Sequence, residues 1–172
     1  SRDSLENDTL LLKILIETIK VRIKLRKIDP LVSNLGHTFG HAFESESKNL
    51  VAHGDAISVG IVCSLKLSLK KRYISKKLYF QLIKIMRDLN LNINIDKSSD
   101  VKRVVNFMTK DKKSDGDLIG FVLLKDIGKT VKTKNKKFLF LDKKYVTTFL
   151  TELYKDKDFL LANHWKQLIN NV

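Results

Sequence analysis

Proline occurs once in this chain, at Pro30, and cysteine once, at Cys63. A single cysteine excludes a disulfide framework and fits a reducing compartment. Cys63 sits inside the apolar run "ISVGIVCSLKL" and is expected to behave as a small buried hydrophobe. No apolar run reaches the length of a membrane span, and no secretory leader is expected at the start. The opening "SRDSLENDTLL" lacks an initiator Met and reads like the interior of a longer protein, so the chain is expected to be a fragment. Acidic residues are the minority: 19 Asp and Glu stand against 33 Lys and Arg, a net charge of +14. That balance points to anionic partners such as nucleic acid, a phosphorylated substrate or an acidic surface. The lysines are spread along the whole length among many Asn and Ile, a distribution that favours solvated lysine faces over a dedicated polyanion site. RNA-recognition, zinc-finger and basic-zipper patterns are absent, so a basic helical nucleic-acid-binding module is the weaker alternative.

What is present is enough to build a core. Of the 172 residues 43% are apolar, a content that argues against disorder and fits one domain. Residues 9 to 27 show helical apolar spacing at first and alternation later, with Asn7 or Asp8 as N-cap and a break at Asp29-Pro30. Ser33 or Asn34 is expected to cap a helix reaching about Lys48, and Asp55 a helix from about Ala56 to Lys71. Ser75 caps "KKLYFQLIKIMRDL", and Ser98 or Ser99 starts "DVKRVVNFMT". The polar "KDKKSDGD" reads as a loop, and "LIGFVLL" with "DIGK" and "TVKTK" as a β-hairpin or a pair of short strands. Helices near Tyr145 to Tyr154 and Phe159 to Ile169 close the chain. The expected fold is mainly α, a multihelical domain with a small β-hairpin.

The histidines are the informative residues. Three of the four, His37, His41 and His53, fall within seventeen residues, in "NLGHTFGHAFE" and "AHGDA". Positions four apart share a helix face, so His37 and His41 project together. Gly36 and Gly40 lie on the neighbouring stripe, each costing a helix roughly 1 kcal/mol against alanine. Such a pair implies that another helix or a ligand approaches the backbone closely. Imidazole is a neutral metal ligand and a proton carrier near neutral pH, and two histidines with a carboxylate suit Zn²⁺ with an open position. Thr38 stands where a metalloprotease HExxH motif needs Glu, which excludes that mechanism. The third metal ligand is not evident in the sequence: Glu44 lies on a different face from His37, and Asp55 serves equally as a helix cap.

"NLGHTFGHAFE", "HGDAISVGIVCSLKLS" and "DKKSDGDLIGFVLLKDIGK" together resemble the C-terminal half of 3-dehydroquinate synthase, in the sugar phosphate cyclase superfamily. The family typically shows an asparagine-led GHTxGHAxE motif, an HGE motif and DKK followed by a glycine and a hydrophobic strand. "IETIKVR" resembles the lysine-bearing helix upstream, so the likeness runs from about residue 8 to 150, and the last twenty residues, with His164 and Trp165, match no part of it. The resemblance implies a dehydroquinate synthase-like C-terminal domain over residues 1–172, with an N-terminal NAD-binding domain outside this chain. It implies a cytoplasmic, NAD- and metal-dependent lyase of the shikimate pathway, using Zn or Co. Such an enzyme converts 3-deoxy-arabino-heptulosonate 7-phosphate to 3-dehydroquinate and phosphate, as a homodimer when full-length. The isolated fragment is expected to be inactive.

Carried over by position, His37 and His53 match the family's metal-ligating histidines, whose third partner is a glutamate upstream of residue 1. His41 matches an active-site histidine that helps move protons. Asn34 matches a substrate-contacting asparagine, Lys112 or Lys113 a substrate-binding lysine, and Lys20 another such lysine across a gap of about four residues. The chain departs from the family at Pro30, where an arginine is usual, and the segment before the motif is shortened to "KLRKIDPLV". Arg26 or Lys27 could supply the missing cation, or the substrate could be another sugar phosphate, as in sibling cyclases. "HGD" for "HGE" is the milder change.

Overall fold

A computed structural model describes residues 2–48, 50–94, 99–133 and 138–156. The chain opens with α1 (Arg2–Ile28), a helix of 27 residues. It runs unbroken through the stretch whose apolar residues alternate, because Leu, Lys, Arg and Ile there carry no helix-breaking penalty. The expected cap at Asn7 or Asp8 is therefore interior to the helix. Pro30 ends it as anticipated, since proline cannot continue the helical hydrogen-bond ladder. Asp29 seals the junction. Its buried carboxylate accepts from Leu31 N (3.0 Å), Thr130 N (3.0 Å), Thr130 Oγ1 (2.6 Å) and Lys132 Nζ (2.6 Å).

A short 3₁₀ turn (Val32–Asn34) leads into α2 (His37–Glu46) and α3 (His53–Lys70). Neither expected cap is used. Gly36 is the N-cap of α2, with φ at 80°, so the chain turns into the helix through a conformation only glycine adopts freely, and Ser33 and Asn34 remain in the 3₁₀ turn. α3 begins three residues before the expected start, with Ala52 at the N-cap and Asp55 in its first turn, where a carboxylate complements the helix dipole. His53 is thus the first helical residue rather than part of a loop.

The glycines explain how α2 and α3 meet. A Cβ on Gly60 would strike the carbonyl oxygen of Gly36 and come within 2.7 Å of Gly40 N; one on Gly40 would lie 2.7 Å from Ile57 Cδ1 and 2.9 Å from Ala56 O. Of the two approaches anticipated for Gly36 and Gly40, that of a helix is the one seen here: they admit α3, backbone against backbone.

Around this pair pack α4 (Lys76–Asp88), α5 (Val101–Thr109) and α6 (Lys143–Lys155). Ser75 caps α4 as expected, accepting from Leu78 N. α5 is capped by Asp100 rather than by Ser98 or Ser99, because the Asp100 carboxylate accepts from Lys102 N. The β structure is two small antiparallel pairs rather than one hairpin. β2 (Leu124–Asp126) and β3 (Lys129–Thr130) form the hairpin, while β1 (Leu118–Phe121) pairs with β4 (Leu139–Asp142), a strand the local pattern did not reveal. The expected helix near Phe159 to Ile169 lies outside the described residues.

One core joins these elements. Phe39 of α2, Cys63 and Leu65 of α3, Tyr79 of α4, Met108 of α5, Phe121 of β1 and Leu150 of α6 are all buried. Cys63 is a core residue as expected, and burial pushes its thiol far above the ordinary range. Buried Ser68 accepts from Leu124 N (3.1 Å) and donates to Ser64 O (2.7 Å), tying β2 to α3. No described helix is long and apolar enough to cross a membrane.

Candidate metal and substrate site

The three histidines converge because two helices begin beside each other. His37 opens α2, His41 follows one turn on, and His53 opens α3. Ring centroids are 5.3 Å apart for His37–His41, 5.8 Å for His41–His53 and 6.1 Å for His37–His53. One ring nitrogen from each can be chosen so that all three lie within 4.8 Å of one another. Every ring also has an oxygen at Nδ1. His37 faces Leu35 O at 3.2 Å, His41 faces Asp111 Oδ2 at 3.4 Å, and His53 faces Glu44 Oε2 at 3.0 Å. These oxygens only accept, so each Nδ1 donates and the lone pair falls on Nε2. Metal-binding histidines are commonly oriented by such a partner. Burial, with the nearby His41, Lys113 and His53, lowers the pKa of His37 against the opposing effect of its bond to Leu35, which favours the neutral form a metal needs. The donor set fits Zn²⁺ or Co²⁺, borderline ions that accept imidazole nitrogen.

Beside the cluster lies a cleft of about 530 Å³, lined among others by Asn34, His41, Phe107, Asp111, Lys112 and Lys113. Asp111 organises its cationic wall. Its carboxylate takes Lys113 Nζ at 2.6 and 2.8 Å and Lys113 N at 2.9 Å, besides His41. Burial works to raise the pKa of Asp111, and the hydrogen bonds and charge of Lys113, with His41, outweigh it, so the group is held below its usual range and stays ionised. The Lys113 loop is pinned to α2 from behind. Thr38 Oγ1 donates to Gly120 O (2.9 Å), and a Cβ on Gly120 would collide with Lys113 O.

Asn34, His41, Lys112 and Lys113 thus share one cleft, with His37 and His53 in the adjoining cluster. Lys113 is 11% exposed, its ammonium held by Asp111. Lys20 is not brought to the cleft: it is exposed on α1 and pairs with Glu17 at 2.7 Å. Arg26, Lys27 and Pro30 do not line it either. Glu44 and Asp111 are the site residues that sequence reasoning missed. Contrary to the expectation that it lies on a different face, Glu44 is two turns along α2 from His37 on the same stripe, and it accepts from His53 across the α2–α3 junction. Asp111 carried one signal, its place two residues before Lys113 at the end of a helix.

A multihelical domain with a histidine cluster at a helix–helix junction is the class that fold and site define. The family described as 3-dehydroquinate synthase C-terminal matches residues 27–114, and the chain belongs to that family. The 3-dehydroquinate synthase of Endomicrobium trichonymphae is 37% identical over 103 residues, 59% of this chain and 28% of that protein. That of Pelagibacter ubique is 33% identical over 133 residues, 74% of this chain and 35% of that protein. The chain therefore spans only 28% and 35% of the length of these relatives. Among solved structures, 2-deoxy-scyllo-inosose synthase complexed with carbaglucose-6-phosphate, NAD⁺ and Co²⁺ superposes with a TM-score of 0.57 at 23% identity, covering 71% of this chain and 33% of its own. A second structure of 2-deoxy-scyllo-inosose synthase gives 0.59 at 21%, covering 73% and 33%. At that identity the likeness establishes the fold.

Proposed function

We propose that this chain is the metal- and substrate-binding domain of a 3-dehydroquinate synthase. The parent enzyme converts 3-deoxy-arabino-heptulosonate 7-phosphate to 3-dehydroquinate and phosphate, in the shikimate pathway of aromatic amino acid biosynthesis. The observation that carries this reading is the three-histidine cluster opening onto a lysine-lined cleft, within residues matched by the family. His37 and His53 hold a divalent metal, zinc or cobalt, together with a glutamate of the parent protein upstream of residue 1. When bound, the metal supplies Lewis acidity and NAD supplies the hydride acceptor.

The chain's own residues bind and orient. Lys113 and Lys112 present positive charge to the anionic groups of a sugar phosphate. Asn34 hydrogen-bonds a substrate hydroxyl, and His41, backed by Asp111, takes or returns a proton at Nε2. Asp111 holds the Lys113 ammonium at the cleft wall. A separate NAD-binding domain completes the enzyme and seats on the apolar side chains that α1 exposes, among them Leu11, Leu15 and Ile19. The chain by itself is then inactive, and the parent is a cytoplasmic homodimer. Lys20 lies on that same helix, so any role in substrate binding depends on the docked domain.

Pro30 favours a second reading, a sibling cyclase acting on another sugar phosphate, because the arginine usual at that position is absent. A nucleic-acid role is not favoured, since the cleft lysines converge on a site of small-molecule size. The deciding test is phosphate release by the full-length parent from 3-deoxy-arabino-heptulosonate 7-phosphate with NAD⁺ and Zn²⁺, beside its His37→Ala variant. Metal-dependent release, lost in the variant, supports the first reading. A folded, metal-loaded parent that leaves this substrate untouched overturns it in favour of the sibling cyclase.

A further inference from the structure

We infer that the cleft between the end of α1, the turn after α3 and the β2–β3 hairpin is a second binding site, one that takes a small phosphate monoester with an apolar face. The inference goes beyond the function proposed above and does not depend on the metal centre. The two clefts share no lining residue.

The second cleft encloses about 710 Å³, against about 530 Å³ beside the histidines, and both sizes suit a small molecule. Ile28 of α1 lines one side, Tyr73 after α3 another, and Lys125, Asp126, Lys129 and Lys132 the hairpin side. The charges there are unequally committed. Asp29 and Lys132 form a closed pair: the buried carboxylate lies 2.6 Å from the ammonium and also accepts from Leu31 N and from Thr130 N and Oγ1. That pair offers a ligand no net charge, but it fixes β3 against the end of α1. Asp126 and Lys129 form an open pair at 3.2 Å, with side chains 54% and 70% exposed. Such exposed pairs contribute little, so Lys129 can exchange its partner for a ligand. Asp126 keeps a bond of its own, from Ile127 N at 2.8 Å. Lys125 has no ion pair among the described residues. Lys125 and Lys129 thus present two positive charges, and a phosphate monoester brings about 1.5–2 negative ones at neutral pH. The rest of the lining is largely apolar. Ile28 is 64% exposed, and half-buried Tyr73 and Val131 line the same cleft. Tyr73 is set there by a C-cap in which Arg72 takes the left-handed conformation usual for glycine (φ 59°), with Tyr73 N donating to Ser68 O at 2.9 Å. A bare inorganic anion leaves this apolar surface wet, and an organic one covers it.

The test is an NMR titration of this 172-residue chain with phenyl phosphate, following the backbone amides, beside inorganic phosphate, benzoate and phenol. The amides of Tyr73, Gly128 and Thr130 are expected to shift together with one Kd. Inorganic phosphate and phenol each lack half of the ligand and are expected to bind at least about tenfold more weakly. Lys125→Ala is expected to weaken phenyl phosphate binding about tenfold, through a lost charge-assisted hydrogen bond. Ile28→Ala is expected to weaken it about threefold, through lost apolar contact. Lys112→Ala, in the other cleft, leaves these shifts as they are. The amide spectrum of each variant shows directly whether its fold is kept. If phenyl phosphate shifts Asn34, Thr38 and Lys112 but not the hairpin, the anion sits beside the histidines and the inference falls. If phenol shifts the hairpin amides as strongly and Lys125→Ala changes nothing, the cleft is apolar only and the inference falls. Benzoate binding as tightly as phenyl phosphate overturns the choice of a phosphate. An absence of shifts at all these amides overturns the site itself. None of these outcomes touches the metal reading, which phosphate release by the parent decides.

Discussion

α1 and the α2–α3 pair are neighbours in sequence and opposites in construction. α2 and α3 touch through three glycines, and buried side chains line the rest of their contact. α1 is longer than either, yet Leu10, Leu11, Leu12, Ile14, Leu15, Ile19, Val21 and Ile23 on it are each at least half exposed. One region has its partner within the chain, and its geometry is finished. The other displays apolar surface to solvent. The candidate site sits on the finished region, where side chains can be held to fractions of an ångström. Asp29 fastens the end of α1 to β3 and the residues that follow it.

The largest expected effect breaks the finished side. Gly60→Ala puts a methyl against the Gly36 carbonyl and is expected to destabilise the fold by about 3 kcal/mol in urea unfolding, with metal binding lost in parallel. Gly54→Ala, whose Cβ meets nothing within 4 Å on the same helix, is expected to be neutral or to stabilise by up to about 1 kcal/mol. Equal losses at the two positions would mean that helix propensity, not contact, sets the requirement.

The joint comes next. The Lys132, Thr130 and Leu31 hydrogen bonds of Asp29 outweigh its burial and lower its pKa from 3.8 to about 2. A carboxylate depressed in the fold stabilises it above its unfolded pKa, and that contribution is lost as pH falls through 3.8 towards 2. About 2 kcal/mol of stability is therefore expected to disappear over that window. Asp29→Asn should flatten this part of the pH profile; an unchanged acid limb would show that the joint carries no charge-dependent stability.

Smaller still is the effect of the orienting groups. Glu44→Ala leaves His53 Nδ1 without its acceptor and is expected to weaken Zn²⁺ binding about tenfold, or ~1.4 kcal/mol, by calorimetry. Unaltered affinity would leave Glu44 a surface partner only. The smallest change in stability is expected on α1. Ile14→Lys should move the unfolding free energy by less than about 0.5 kcal/mol while reducing self-association in sedimentation. A loss above about 1 kcal/mol would mean that α1 is packed against the core, and the contrast between the two regions would fail.

The sequence disclosed what depends on short-range pattern. The histidine spacing, the break at Pro30 and the Ser75 cap each depend on residues within one or two turns. The starts of α2, α3 and α5 were misplaced because Ser33, Asn34 and Asp55 are good caps in isolation, and nothing local says that Gly36 and Ala52 will be used. β4 was hidden because its partner β1 lies some twenty residues away across a polar stretch, and pairing at that distance leaves no periodic trace. Glu44 and Asp111 were missed for a related reason. Each acts on a histidine presented by a different turn or element, and only folding brings them together. The convergence of Asn34, Lys112 and Lys113 with His41 came instead from family likeness, which compresses tertiary information that one chain's periodicity does not hold.

The Gly36–Gly60 contact also constrains genetics. A destabilising substitution is ordinarily relieved by a smaller residue across the interface, but here the residue across the interface is already glycine and the obstructing atom is a peptide oxygen. No codon at position 36 can make room for a methyl at position 60. A selection for revertants of Gly60→Ala should therefore return glycine itself, or distant stabilisers of the whole domain, and never a suppressor at Gly36.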